Sequence, residues 1–218
     1  MNRKWISPDG GIWISIILKP KMSPTRCPLL SLMAALAVSD TIAQKTGLES
    51  KVKWPNDILI NRKKVCGILV DIATKGSYVE YAVIGIGINA NANIRKILQQ
   101  IVDYQAGHMG VTSLKNEISG KYVSRPSFLK RLFERLEHYY TVLEKEEMGA
   151  VIILNQIKKR LDILNTMVTI QQTDSRIEGL VLGLGLDGCL ILKKKDGSLI
   201  EVRSGDPRRV IKDNIHEN

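Results

Sequence analysis

Lys53 stands between Val52 and Trp54, and Pro55-Asn56-Asp57 follow at once, leading into the apolar run Ile58-Leu59-Ile60. After a short basic turn (Asn61-Arg62-Lys63-Lys64) comes a second run, Cys66-Gly67-Ile68-Leu69-Val70-Asp71. An ammonium carried by a rigid apolar strand is a fixed positive charge, the kind of group that neutralises a phosphate and a carboxylate together. Lysine serves there as a compact point charge, where arginine would serve as a planar bidentate clamp. The competing reading makes Lys53 one more solvated lysine. Asn56 and Asp57 sit at the corner after it, and either touch a substrate or close an Asx-turn that satisfies backbone donors. Further on, Ile84-Gly85-Ile86-Gly87-Ile88-Asn89 places two glycines in a strand pattern, which marks a bulge or a close approach of a ligand to the backbone. Asn89 offers both a donor and an acceptor. The three histidines, His108, His138 and His216, show no base–nucleophile arrangement.

These groups need a scaffold, and the periodicities predict one. Residues 12–18 are rich in β-branched side chains and read as a buried strand. Prolines at 20, 24 and 28 mark a loop into a helix over 29–46, which Gly47 ends. Strands are expected at 51–54, 58–60, 65–72 and 78–89, with 61–64 a hairpin turn. Thr112-Ser113-Leu114 suggests an N-cap or ST-turn. Leu129, Leu132, Phe133, Leu136, Tyr140 and Leu143 form one stripe of an amphipathic helix over 127–145, and a further helix covers 150–160. From Asn165 on, short strand patterns alternate with turns at Asp187-Gly188 and Asp196-Gly197, the spacing of a small antiparallel barrel. The expected division is therefore residues 1–160 and 161–218.

A chain of 218 residues, 44% hydrophobic and 25% charged, is an ordinary globular composition. Three scattered cysteines (Cys27, Cys66, Cys189) without a Cys-x-x-Cys or Cys/His cluster support neither a disulfide framework nor a zinc site, and read as buried free thiols. The apolar runs 12–18 and 28–38 fall short of the roughly 20 residues a membrane-spanning helix needs, so no membrane span is expected and a cytoplasmic location is. The net charge of +10 admits solvated faces, an acidic partner or nucleic acid. Basic residues lie in separate clusters without an interleaved aromatic platform, and the chain has only two Phe, which counts against nucleic acid.

Lys53-Trp54-Pro55-Asn56-Asp57, the basic turn and then Gly67-Ile68-Leu69-Val70-Asp71 resemble the signature stretch of biotin protein ligases. Ile84-Gly85-Ile86-Gly87-Ile88-Asn89 is similar to that family's Gly-x-Gly-Ile-Asn segment. Arg3-Lys4-Trp5-Ile6-Ser7-Pro8-Asp9-Gly10-Gly11 matches the residues that follow its glycine- and arginine-rich loop. The resemblance implies an α/β (α+β) fold: a mixed β-sheet with flanking helices, of the class II synthetase-like kind, plus a small SH3-like β-barrel. It implies that biotin and ATP, with Mg²⁺, are consumed to form biotinyl-5′-AMP, from which biotin passes to a lysine of a biotin carboxyl carrier protein. Lys53 would then be catalytic. Arg3, Trp5, Gly10, Gly11, Asn56, Asp57, Gly67, Gly85, Gly87 and Asn89 would line the biotin and ATP site. Core packing for Trp5 and a plain turn for Gly10-Gly11 stay open beside that. The resemblance names no protein ligand for Mg²⁺, and a side-by-side homodimer is a further expectation from relatives.

The family's Gly-Arg-Gly-Arg loop, which shields the adenylate from water, lies outside this sequence apart from Arg3, so weak or leaky turnover is expected. The helix-turn-helix of some members is likewise outside it, and sequence-specific DNA binding is not expected. A non-catalytic module that holds biotin or the carrier is the alternative function; a lipoate-type acyl ligase and a nucleic-acid binder rank below it.

Overall fold

The computed structural model describes residues 6–95, 98, 110–171 and 176–210. The first sheet has five strands: β1 (Ile12–Leu18), β2 (Lys51–Lys53), β3 (Asp57–Ile60), β4 (Lys63–Lys75) and β5 (Tyr78–Ile88), in the order β1-β5-β4-β3-β2. Every ladder in it is antiparallel. The sequence suggests a mixed sheet, but among the described residues parallel pairing is confined to two isolated bridges, Val52 with Leu161 and Lys64 with Val111.

Alternation decides what each face of this sheet meets. Cys66, Ile68 and Val70 on β4, Ile84, Ile86 and Ile88 on β5, and Ile12, Ile14 and Ile16 on β1 are paired across the strands and pack in or against one core. Helix α1 (Pro28–Thr46) covers that face. It starts on a proline and stops at Gly47, whose φ of 71° is the left-handed cap the sequence predicts. With the preceding 3₁₀ turn (Pro24–Arg26) the helical stretch is 23 residues long and contains an 18-residue window of mean hydropathy 1.4, long and apolar enough to cross a membrane. The sequence reading took this run as too short; here 78% of its apolar window is buried inside the molecule, which is the position of a core helix.

Beyond α1 lie the one-turn helix α2 (Leu114–Glu117), α3 (Arg125–Leu143) and α4 (Glu146–Arg160). The amphipathic stripe of α3 buries Phe128, Leu132, Leu136 and Leu143, while Phe133 stays exposed. Ser113 caps α2 by accepting from the Asn116 N–H at 3.3 Å. Strand β1 departs from its reading as a buried strand. Among the described residues it is an edge strand with one face toward the helices, and Ile12 is buried while Ile17 is 71% exposed.

The second sheet comprises β6 (Met167–Gln171), β7 (Arg176–Leu184), β8 (Leu190–Lys193), β9 (Leu199–Val202) and β10 (Pro207–Arg209), antiparallel in the order β10-β6-β7-β8-β9. Among the described residues β9 and β10 are its two edges. It joins the first unit through the Trp54 indole, which donates to the Gly188 carbonyl at 2.9 Å, and through Asp162 N–H to Val52 O at 2.9 Å. Gly188 sits on Leu29 and Leu32 of α1.

Candidate active site

The face of the first sheet turned away from α1 carries the candidate site residues. Lys53 pairs with Asp57, Asp57 with Gly67, Gly67 with Gly87, and Gly87 with Trp13. Residues directly opposite in antiparallel strands share a face, so these five form one row across all five strands. The next row is Leu69, Gly85 and Ser15. A strip of sheet is thus paved with glycine at its centre, flanked by Lys53 and Asp57 on one side and an indole on the other. Such a strip lets a flat ligand lie on the backbone itself.

Lys64 joins this row in a way the sequence does not announce. Counting back from Gly67, strict alternation would turn Lys64 toward α1 with Cys66. The register shifts instead: Ile58 faces Cys66, but Leu59 faces Lys64, leaving Val65 as an extra residue. Val65 and Cys66 are both buried in the core, and the bulge re-aims Lys64 to the glycine face. Its Nζ lies 2.5 Å from Asp57 Oδ1. A methyl placed on Gly67 would meet Lys64 Cε and Nζ at 3.2 Å, so the ammonium stem lies over that glycine. Its backbone is fixed too, with N–H donating to Gly110 O at 2.7 Å and C=O accepting from Thr112 N–H at 2.9 Å. The hairpin before it uses only Asn61 and Arg62, both at positive φ, so Lys63 and Lys64 belong to the strand and not to the turn.

Lys53 has a different partner. Its Nζ is 2.6 Å from Asp206 Oδ1, a residue between β9 and β10 of the second sheet. Asn56 holds the corner: its Nδ2 donates to Ile68 O at 2.7 Å, and its own carbonyl accepts from Ile68 N–H at 2.9 Å. That clamp onto β4, rather than an Asx-turn, fixes the corner after Lys53. Asn89 spends its side-chain donor on Thr112 O at 3.0 Å, pinning the segment that holds Lys64.

Gly10 has φ 88° and a Cβ position 2.7 Å from Asn91 O, so it packs against the chain following β5. Gly11 lies under the Trp13 indole, 2.1 Å from a would-be Cβ, and its carbonyl accepts from Arg125 Nη1 at 3.3 Å. Both glycines therefore serve the Trp13 end of the row by packing. Trp13 Nε1 donates to Pro8 O at 3.1 Å. Arg3 and Trp5 lie outside the described residues.

The three cysteines are buried free thiols. Burial pushes the Cys66 thiol far above its ordinary range, which leaves it inert beside the site. Among the described residues no group of three His, Cys, Asp or Glu could hold a metal, and Asp57, the carboxylate of the row, is engaged by Lys64. A resident metal centre does not fit this face; Mg²⁺ fits only as the companion of a substrate's phosphates.

Residues 1–89 match the biotin/lipoate A/B protein ligase family. Over those residues the chain is similar to that family. It is 31% identical to the bifunctional ligase/repressor BirA of Bacillus spizizenii over 90% of this chain and 58% of that protein. It is 28% identical to the biotin–[acetyl-CoA-carboxylase] ligase of Paracoccus denitrificans, over 90% of this chain and 79% of the other. The fold superposes on the biotin protein ligase of Aquifex aeolicus, solved with biotin and ATP, with a TM-score of 0.75 and 25% identity, over 95% of this chain and 82% of that one. The chain thus spans a little over half the length of that Bacillus protein.

Proposed function

We propose that the chain attaches biotin to a lysine of a biotin carboxyl carrier protein at the expense of ATP, through biotinyl-5′-AMP. The glycine-paved row flanked by Lys53, Asp57 and Lys64 carries this reading, and the biotin and ATP complex of the Aquifex relative supports it. In the first step a biotin carboxylate oxygen bonds to the α-phosphorus of ATP while the bond to the β-phosphate oxygen breaks and pyrophosphate leaves. Negative charge then crowds onto the α-phosphate and the acyl oxygens. A fixed ammonium at that point is worth about 10²–10³ in rate. Lys64 is the cation held over Gly67, with Asp57 keeping it in place, and Lys53 stands at the end of the row as the second.

In the second step a lysine amine of the carrier bonds to the acyl carbon, AMP leaves, and a proton is lost from nitrogen. Gly67, Gly85 and Gly87 make the floor, and Trp13 makes an apolar wall in the role the sequence reading gave to Trp5. Mg²⁺ arrives with ATP. Residues 1–160 are the ligase unit in this reading and 161–218 the small β unit, in a cytoplasmic protein.

Purified protein, labelled biotin, ATP-Mg²⁺ and an acetyl-CoA carboxylase carrier domain test it. Label on the carrier is the expected result, and ATP-dependent pyrophosphate release should require biotin. If neither label transfer nor biotin-dependent pyrophosphate release occurs, the ligase reading fails.

A further inference from the structure

We propose that Asp206 is a place-holder for the substrate's anion, a carboxylate supplied by the second sheet that occupies Lys53 until a phosphate or carboxylate of the ligand replaces it. The inference rests on the ligase reading and adds to it a residue from the second sheet.

The contact is built from both sides. Gly205 has φ 129°, and a Cβ there would meet Ile170 Cγ2 at 2.4 Å, so the backbone before Asp206 is pressed onto β6. Pro207, directly after it, is buried and pairs with the same Ile170. The main chain on each side of Asp206 is therefore fixed, and its carboxylate can move only by rotation of its own side chain. The two partners are unequally covered, with Lys53 16% and Asp206 43% exposed by side chain. The carboxylate is on the water side and leaves by turning outward, while the ammonium stays.

A ligand phosphate at Lys53 competes with Asp206 for the same ammonium, and two anions held that close disfavour one another. Asp206 is therefore the group that yields, and the weakened pair is subtracted from the ligand's affinity. A small inorganic anion has nothing else with which to offset that loss. A nucleotide does, through its base and the glycine floor. Two other contacts between the first unit and the chain that forms the second sheet, Trp54 to Gly188 and Asp162 to Val52, do not involve Asp206.

Binding of AMP and of adenosine to the wild type, Asp206→Asn, Lys53→Met and the double variant tests the proposal by calorimetry, beside urea unfolding of each. Asp206→Asn is expected to bind AMP roughly two- to fivefold tighter, as suits a partly exposed ion pair. Adenosine affinity should stay the same, and Lys53→Met should abolish the gain. Stability of Asp206→Asn should fall slightly while its AMP affinity rises. A merely structural role would move both in the same direction. If the wild type binds AMP and Asp206→Asn binds it no tighter, the place-holder role is overturned and the ligase reading stands. If the wild type binds neither AMP nor adenosine, the place-holder inference is overturned, and label transfer to the carrier decides the ligase reading separately.

Discussion

Lys64 and Asp57 meet at 2.5 Å on the glycine face of the first sheet, although an unbroken alternation along β4 would send Lys64 into the core. The extra residue, Val65, is what brings them together. Lys64→Met should therefore lower the rate of adenylate formation by about 10²–10³-fold. The pair is partly exposed, so stability should change by no more than about 1 kcal/mol. Pyrophosphate release and urea unfolding measure the two quantities separately. A Lys64→Met enzyme with wild-type turnover would place the charge elsewhere.

Gly67→Ala probes the same cation without removing it. The new methyl would meet the far end of the Lys64 side chain at 3.2 Å, which yields by swinging away. Displacing a catalytic ammonium by an ångström or so should slow adenylation on the order of 10–10²-fold while leaving the melting temperature nearly unchanged. Gly85→Ala makes a companion: its nearest neighbour is Leu69 O at an ordinary 3.8 Å, so the fold accepts it. Weaker binding of biotin or ATP by a fully folded Gly85→Ala protein would locate the ligand on that glycine, and unchanged binding would clear it.

Trp54→Phe tests the join between the sheets. The indole N–H satisfies the Gly188 carbonyl in a buried setting, and phenylalanine keeps the ring but not the donor. Leaving that carbonyl without its partner should cost about 1–3 kcal/mol. Chemical unfolding should show the loss, and hydrogen exchange should rise first around residues 185–190.

Tyr139 gives the stability an alkaline limit. Burial, together with its hydrogen bond to Asp40, pushes its hydroxyl up to about 12. An unfolded tyrosine titrates near 10, so between about pH 10 and about pH 12 the unfolded chain holds fewer protons than the folded one. The stabilisation is complete below pH 10 and is lost as pH rises toward 12. Tyr139→Phe should lower stability at neutral pH and flatten that alkaline decline in urea midpoints; Tyr140, also raised to about 12 chiefly by burial, retains part of it.

The order of elements was legible because its signals are local. Gly47 stops α1, the period of Leu129 to Leu143 makes α3, and the Asp-Gly turns punctuate the second sheet. The Lys-Trp-Pro-Asn-Asp block and the paired glycines were legible for the same reason, and the fold brings them into one row of the first sheet. What stayed hidden depends on the neighbour across the sheet. The type of Asn56 and Asn89 does not show that their amides clamp Ile68 and Thr112. Trp13 lay inside a run that reads as a buried strand, and only its pairing with Gly87 at the sheet edge puts it on the site's face.

By itself, then, the sequence determined the elements, the core stripe and the family signature, since hydrophobic period and turn chemistry act within a few residues. Only the tertiary structure decided which charges converge. A one-residue bulge changes the face on which a side chain lies, which makes Lys64 a site residue. A strand junction some 150 residues downstream, Gly205-Asp206-Pro207, supplies the counter-ion of Lys53.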